Sequence, residues 1–269
     1  MIDTPIGWLL LFGFGIFTGS LAGLLGIGGG LLNVPILTLA GTSTLQAAAT
    51  SLIGVLLSAV SGSVRNLQTG SLNWRVSATM GGFGLVAAQL GARLGDRIPD
   101  NVLSLGFAGL ALVTIYLMGL KRSLKQAQEK QAKEQETLAP PPLSPSPPPY
   151  RFLPPTGIGL AAGVLSGLFG VGGGAVMVPL QMLVLNEPIK MAVRTSLGAI
   201  VAIGSSALVG QAMAGNVLWI PGLCLGAGAI VGAQFGTRLL PKLSDRTITV
   251  MFRMLLLGLA AYMMVRGLR

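Results

Sequence analysis

Two glycine-rich segments contain the residues whose types and spacing could do chemistry in this chain. The first is Gly23-Leu-Leu-Gly26-Ile-Gly28-Gly29-Gly30-Leu-Leu-Asn33-Val-Pro35, and the second, 144 positions later, is Gly167-Leu-Phe-Gly170-Val-Gly172-Gly173-Gly174-Ala-Val-Met177-Val-Pro179. Each of three consecutive glycines disfavours a continuous helix by about 1 kcal/mol relative to alanine. Each segment therefore predicts a helix, a break and a new helix after Gly30 or Gly174, with Pro35 and Pro179 near the new start.

The chemistry that such a break could supply is anion binding. A helix N-terminus presents unpaired N–H groups and a partial positive charge. Glycine leaves room for a ligand beside them and permits a positive φ. We therefore expect the substrate-binding glycines to be Gly28, Gly29, Gly30, Gly172, Gly173 and Gly174. The alternative is that the glycines only allow helices to pack closely. A dinucleotide fingerprint is excluded, because no strand precedes the motif and no acidic residue follows at the right distance.

Polar side chains inside the apolar stretches are the remaining candidates. Those that could complete a shell around an oxyanion are Asn33, Thr50, Ser51, Gln89, Thr195, Ser196 and Gln234. The alternative of interhelical hydrogen bonds, worth about 1 kcal/mol each, is equally open. Arg93 and Arg238 end matching spans, where they could steer an anion or anchor the helix at the interface. Arg253, inside the last span, is either a snorkelling residue or a functional cation.

Several residue types are missing from the apolar stretches. The sequence has no His, its eight acidic residues fall outside these stretches, and Cys224 is its one cysteine. A proton relay through the membrane usually needs a carboxylate or His, so facilitated transport, exchange or coupling through substrate protonation fits better. An intramembrane enzyme is disfavoured, because the apolar stretches contain neither a His nor a Ser–Lys pair. We expect no catalytic residue, no metal site and no cofactor.

Composition defines the elements that must position these residues. Hydrophobic residues make up 52% of the chain and charged residues 10%, against about 25% charged in globular proteins. Apolar runs at 7–25, 76–94, 102–120, 218–240 and 247–265 are long enough to cross a hydrocarbon core of about 30 Å. The chain is predicted to be an all-α polytopic membrane protein. Its net charge of +10 lies between the spans, which indicates orientation in the membrane rather than nucleic-acid binding.

The chain reads as a duplication. An offset of 144 to 145 persists over some eighty residues, which predicts repeats at 1–120 and 154–269 joined by a linker at 121–153. The linker is charged and then proline-rich, so we expect a disordered cytoplasmic tether, with a proline-rich docking ligand as the alternative. Each repeat opens with a glycine-broken unit, followed by three spans. The units are 7–40 and 156–185, and the spans are 47–64, 76–94 and 102–120, then 192–214, 218–240 and 247–266.

The number of crossings in the broken unit decides how the repeats are oriented. If the unit returns to its starting side, the repeats are inverted, and thirteen Lys and Arg residues lie on one side against four on the other. If the unit crosses once, the division is ten against seven. The inverted division follows the positive-inside rule, and it brings the two breaks together from opposite directions. Transporters of this design bind substrate between the ends of discontinuous helices.

The paired Gly-x-x-Gly-x-Gly-Gly-Gly-x-x-x-x-Pro segments, one opening each half, resemble the sulfite exporter TauE/SafE family of membrane permeases. The resemblance covers both halves and fails at 121–150; Asn33 opposite Met177 also makes the halves non-equivalent. It implies a multi-pass protein of the cell (inner) membrane that moves sulfite, a sulfonate or a related organosulfur anion. The helix-end argument alone predicts only a small anion. We expect that anion to be transported by alternating access at the interface of the two repeats. The alternatives are a transporter of another small carboxylate or oxyanion, and a membrane scaffold that works through the linker.

Overall fold

A computed structural model describes residues 5–135 and 153–268, with side chains for 5–119 and 153–268. The described chain is helical throughout, with no strand. Its helices are α1 (Pro5–Leu25), α2 (Gly30–Leu39), α3 (Thr44–Gln68), α4 (Trp74–Gly95), α5 (Asp100–Gln135), α6 (Leu153–Phe169), α7 (Gly174–Val184), α8 (Ile189–Met213), α9 (Trp219–Leu239) and α10 (Asp245–Gly267), with a 3₁₀ turn at Leu240–Lys242. The predicted all-α class is confirmed.

Six of the described helices are long and apolar enough to cross a membrane: α1, α3, α5 over Asp100–Gly119, α8, α9 extended to Lys242, and α10. Helix α4 has 22 residues but is not among them, although the sequence predicts a span at 76–94. Its glycines, its polar residues and Arg93 lower its hydropathy. Helix α6 is shorter, with 17 residues. Both pack chiefly against protein, α4 on α6 and on α8, so neither depends on lipid contact along its whole surface.

The two halves contain the same elements in the same order. In each, a long helix is followed by a break, a short helix and three further helices. As the glycine motifs predict, the short helices α2 and α7 begin at Gly30 and Gly174. The prolines differ from expectation, because Pro35 and Pro179 lie inside the short helices rather than at their starts. Each proline removes a helical N–H there.

Each broken unit packs against the opposite half. Helix α1 contacts mainly α9, and its counterpart α6 contacts mainly α4. Glycines bring the α1 and α9 backbones together: an added Cβ at Gly15 would strike Leu225, and one at Gly23 would strike Ala233 and Thr237. Small residues allow this kind of close approach in membrane helices. The contacted positions ascend together along both helices, so α1 and α9 run parallel.

The central helices α3 and α8 run antiparallel. An added Cβ at Gly62 would lie beside Leu197, whereas one at Gly204 would lie beside Val55. Residue numbers therefore rise along α8 in the direction in which they fall along α3. Helix α9 runs parallel to α3, because Thr50 contacts Leu218 and Ser61 contacts Gln234. Helices α1, α3 and α9 therefore point one way, and α4, α6 and α8 point the other way.

The directions of α1 and α3 show whether the first broken unit crosses the bundle or returns to the end where it began. Helices α1 and α3 both run parallel to α9, so α3 begins at the end of the bundle where α1 begins. The intervening α2 thus brings the chain back. At that end Asp100 accepts a hydrogen bond from Thr44 N, and Arg266 donates to the carbonyl of Thr42. At the other end Lys190 donates to the carbonyl of Pro241.

The segment between the halves is described only in part. Helix α5 continues to Gln135, into the stretch for which the sequence predicts a tether. The proline-rich part of that predicted linker lies outside the described residues.

Candidate anion site at the paired helix breaks

The two breaks have the same backbone conformation. Gly26, Gly28 and Gly29 have φ of 70°, 71° and 78°, in the left-handed region. Gly170, Gly172 and Gly173 repeat it with 66°, 74° and 76°. Side chains other than that of glycine rarely adopt such values. The three left-handed residues end one helix and allow the next to begin in a new direction.

The breaks lie against each other. A Cβ at Gly30 would strike the carbonyl oxygen of Gly170 and the Cα of Val171. In the same way, a Cβ at Gly174 would strike the carbonyl oxygen of Gly26 and the Cα of Ile27. Every residue from Gly26 to Gly30 is buried. The structure thus brings together Gly28, Gly30, Gly172 and Gly174, whereas Gly29 and Gly173 face Ala22 of α1 and Ala162 of α6.

Two apolar side chains flank the breaks at the middle of the bundle. An added Cβ at Gly28 would lie 2.9 Å from Cγ1 of Val55 and 3.5 Å from Cγ2 of Ile200. Gly172 faces the same two side chains. Val55 and Ile200 are fully buried near the midpoints of α3 and α8. Gly28 and Gly172 are therefore at mid-depth, whereas Gly26 lies against Val193 near the start of α8 and Gly170 lies against Ala48 near the start of α3.

The breaks leave backbone N–H groups without partners. In α2 the first amides to bond are Leu32 N and Asn33 N, both to Gly29 O at 3.1 Å. In α7, Val176 N and Met177 N bond to Gly173 O in the same way. The amides of 27–31 and 171–175 donate to no acceptor in the described part of the chain, and neither N-cap has a side-chain bond. Such amides, together with the helix dipole, favour an anion.

Three carbonyl groups of the breaks, in contrast, have serine hydroxyls as partners. Ser51 Oγ lies 2.7 Å from Gly170 O and 2.8 Å from Ala48 O, and Ser196 Oγ lies 2.9 Å from both Gly26 O and Val193 O. Each hydroxyl therefore shares its proton between a break and a carbonyl of its own helix. Ser58 Oγ donates to Gly28 O at 3.0 Å. The serines of the predicted Thr–Ser pairs therefore contact the breaks as donors to carbonyls. Ser58 was not among the predicted site residues, because its position in the second half is Ile203 and the symmetry gives no signal for it.

The threonines of the same pairs lie on another face of their helices. Thr50 Oγ1 accepts a hydrogen bond from Leu218 N at 3.0 Å, at the start of α9. Thr195 is fully buried, and its hydroxyl has no partner. Its carbonyl accepts a hydrogen bond from Ser77 of α4. Thr50 therefore binds the start of α9 rather than a glycine break.

Asn33 adds an unpaired amide beside the first break. It is the fourth residue of α2 and is 0% exposed, and neither Nδ2 nor Oδ1 has a partner. Its Nδ2 lies 2.7 Å from the place that a Cβ on Gly54 would occupy. Gly54 precedes Val55, which flanks both breaks. Burying an amide without a hydrogen bond costs about 1–3 kcal/mol in proteins. A hydrogen-bonding partner for the Asn33 amide would therefore be stabilising.

The predicted glutamines bond away from the breaks. Gln89 Nε2 donates to Ser206 O at 2.6 Å, joining α4 to α8. Gln234 Nε2 donates to Ser61 O at 3.0 Å, joining α9 to α3. The two bonds are equivalent in the two halves. This is the geometry of the interhelical alternative that the sequence left open.

The arginines lie far from the breaks. Arg93 and Arg238 are exposed in the last turns of α4 and α9, and these helices run in opposite directions. They therefore lie at opposite ends of the bundle. Arg253 is half-buried in α10 beside Gly119, with its Nε and one terminal nitrogen unpaired.

The fold and the site together define a class. A multi-pass helical protein with two broken helices, whose N-termini meet at mid-depth, has the architecture of membrane transporters. The profile of one family, described as sulfite exporter TauE/SafE, matches residues 11–263. The chain belongs to this family. It is therefore a membrane transporter rather than an enzyme, and a multi-pass protein of the plasma membrane.

Relatives from bacteria and archaea resemble the chain over nearly its whole length. The probable membrane transporter protein YunE of Bacillus subtilis is 26% identical over 98% of this chain and 99% of its own length. YdhB of the same organism, with the same description, is 29% identical over 83% and 88%. The probable membrane transporter protein MJ0441 of Methanocaldococcus jannaschii is 26% identical over 95% of both chains. No solved structure matches the chain significantly.

Proposed function

We propose that the protein is a permease for a small oxyanion, sulfite or a related organosulfur anion, bound between the two glycine breaks. One observation supports this proposal above the others: two sets of unpaired N–H groups, 27–31 and 171–175, lie in neighbouring breaks at mid-depth. Two helix N-termini contribute partial positive charge to the same place. The family description supports the sulfur oxyanion as the substrate class.

The two halves act as inverted repeats, 1–120 and 154–269. The antiparallel course of α3 and α8, which are equivalent elements, supports this relation. So does the return of the chain through α2. By the direction of the helices, the end that includes Arg75, Lys190, Arg238, Lys242 and Arg246 carries more of the described cations than the end with Arg93, Arg97 and Arg266. The positive-inside rule makes the richer end, and with it the linker, cytoplasmic.

Transport proceeds by alternating access. The breaks are buried at the centre, so a substrate reaches them only if the surrounding helices separate on one side at a time. The pairing of helices supports a rigid-body movement, because α1 packs on α9 and α6 on α4 in two equivalent groups. These groups would rock around the contact between α3 and α8, as inverted-repeat transporters do around a fixed site.

The test is uptake into proteoliposomes that contain the purified full chain. Sulfite, sulfate, thiosulfate, methanesulfonate and acetate are offered separately, with and without a pH gradient, and protein-free vesicles from the same lipid measure leakage. We expect protein-dependent uptake of sulfite or another sulfur oxyanion above that of acetate. Uptake of acetate alone would move the substrate class to carboxylates. Absence of uptake for every anion in both gradients would overturn the permease proposal.

A further inference from the structure

The amide of Asn33 is the polar group nearest the breaks that the rest of the protein leaves without a partner at both ends. Its side chain is completely buried, and both Nδ2 and Oδ1 are unbonded. It projects from the first turn of α2 against Gly54, on the face of α3 from which Ser51 and Ser58 contact the breaks. A donor and an acceptor are therefore presented together at the same edge of the site.

The second half has no amide at the equivalent position, and its buried, unpaired Gln181 lies one turn further along α7. The equivalent of Asn33 is Met177, whose side chain is also fully buried. The space around the amide is asymmetric too, because Gly54 corresponds to Ala199. A Cβ at position 54 would approach Asn33 Nδ2 to 2.7 Å. At this position the first half thus has both the amide and the room for it, and the second half has neither.

We propose that Asn33 binds the substrate directly and selects the monoprotonated, singly charged form of an oxyanion, such as hydrogen sulfite, over the fully ionised dianion. This inference rests on the proposed permease function and names the protonation state that is transported. The substrate's O–H donates to the amide oxygen of Asn33. The other substrate oxygens accept hydrogen bonds from Asn33 Nδ2 and from the N–H groups of the breaks.

The chemistry of the amide supports this assignment. An amide has one oxygen acceptor and one nitrogen with two donors. A fully ionised oxyanion can only accept hydrogen bonds, so its oxygens would leave the amide oxygen unpaired or lie against it repulsively. A monoprotonated oxyanion satisfies both ends. The conclusion holds whichever way the amide is turned, since one end is always an oxygen.

The charge of the surroundings supports the same form. The acidic residues whose side chains the structure describes lie at helix ends or in loops: Asp96, Asp100, Glu187 and Asp245. Val55 and Ile200 make the walls of the breaks apolar. Desolvation disfavours a second charge strongly in such surroundings. A proton carried by the substrate itself removes that charge without any titrating side chain in the span.

The first experiment distinguishes recognition of the substrate's proton from recognition of its single negative charge. Hydrogen sulfite and methanesulfonate both carry one negative charge, but only hydrogen sulfite has an ionisable O–H. Initial uptake of each into proteoliposomes is measured over a pH series, with protein-free vesicles subtracted. We expect sulfite uptake to follow the hydrogen sulfite fraction, and methanesulfonate to be transported at least tenfold more slowly and without pH dependence. Sulfite uptake that follows the dianion fraction would overturn the proposal.

The second experiment asks whether Asn33 performs the selection. Asn33→Leu keeps the side-chain volume and removes both polar ends. We expect at least a tenfold loss of hydrogen sulfite uptake, a smaller loss for methanesulfonate, and a melting temperature equal to or above that of the wild type. A purely structural role would lower the melting temperature and leave the preference between the two anions unchanged. That outcome would sink the proposal.

Two further variants serve as controls. Gln181→Leu removes a second fully buried, unpaired amide, which lies two turns beyond the start of α7, and should leave the preference between the two anions intact. Gly54→Ala displaces the Asn33 amide without removing it and should reduce hydrogen sulfite uptake. If wild-type protein transports sulfite but these preferences are absent, the further inference fails alone. If it transports no anion, the proposed function fails.

Discussion

The hydroxyl of Ser51 donates a hydrogen bond of 2.7 Å to the carbonyl oxygen of Gly170, so a central helix of one half is bonded to the break of the other. The bond from Ser196 to Gly26 O, at 2.9 Å, is its counterpart. Both serines are fully buried. Each break is therefore contacted by a serine of the opposite half, and the first break also by Ser58 of its own half.

Removing either hydroxyl should destabilise the protein. Ser51→Ala or Ser196→Ala leaves a buried carbonyl without its side-chain donor, which costs about 1–3 kcal/mol. We expect a lower melting temperature for each variant and slower sulfite uptake, because the carbonyl of a break is released. Ser20→Ala is the matched control, since Ser20 bonds only to Ile16 O of its own helix. An effect of Ser20→Ala as large as that of Ser51→Ala would contradict this account.

Filling the space at a break should also be costly. Gly28→Ala places a Cβ 2.9 Å from Val55 Cγ1 at a φ of 71°, and the left-handed backbone alone costs about 1–2 kcal/mol. Combining it with Val55→Ala removes the clash but not the backbone strain. We expect the double variant to be more stable than the sum of the single changes by about 0.5–3 kcal/mol. Thermal unfolding of the four proteins measures this coupling.

A glycine outside the breaks provides the control for that cycle. Gly82 lies in α4, and an added Cβ there meets nothing within 4 Å. Gly82→Ala should therefore leave stability unchanged or raise it by about 0.5–1 kcal/mol through helix propensity. If Gly28→Ala behaves like Gly82→Ala, the close packing around the first break is not what the structure describes.

Arg266 should hold the outer end of α2. Its two terminal nitrogens donate to Thr38 O at 3.1 Å, in the last turn of α2, and to Thr42 O at 3.0 Å, in the loop that follows. Hydrogen bonds from charged groups are worth about 1.5–3 kcal/mol. We expect Arg266→Ala to lower the melting temperature and Arg266→Lys to recover only part of the loss, because lysine lacks the planar fork. Full recovery by lysine would contradict bidentate capping.

The glycine motif predicted the broken unit well, for a local reason. Three neighbouring glycines both weaken a helix and permit left-handed φ values, so the starts of α2 and α7 at Gly30 and Gly174 follow from the sequence. Pro35 was predicted near the start of α2, and it is instead the sixth of the ten residues of this helix. A proline's preference for the first turn is statistical, and the buried surroundings of this short helix outweigh it.

The side chains around the breaks were harder to predict, because their roles depend on which helix face meets which neighbour. Ser51 and Thr50 are adjacent in the sequence, yet one contacts a break and the other the start of α9. Gln89 looked like a candidate by its symmetry, and it bonds to Ser206 between helices. The environment of Asn33 depends on Gly54, and a missing side chain twenty-one positions later gives no signal in the sequence.

The orientation of the halves predicts the labelling of helix ends on intact cells. Cysteines at Gln68 and Met213, both exposed at the ends of α3 and α8, should lie on opposite faces of the membrane, because these two equivalent helices run antiparallel. The background variant is Cys224→Ala, since Cys224 is the native thiol. A membrane-impermeant maleimide should label one of the two cysteines on intact cells and both after the membrane is opened.

Two loop positions calibrate this measurement. Pro241, between α9 and α10, lies at the Gln68 end of the bundle, and Pro99, between α4 and α5, lies at the Met213 end; both are exposed. Cysteines at Pro241 and Gln68 should therefore label alike, as should those at Pro99 and Met213. If Gln68 and Met213 label from the same side while the loop positions behave as expected, the halves are parallel. The helix N-termini of α2 and α7 would then not approach one substrate from opposite faces, and the alternating-access proposal would lose its structural basis.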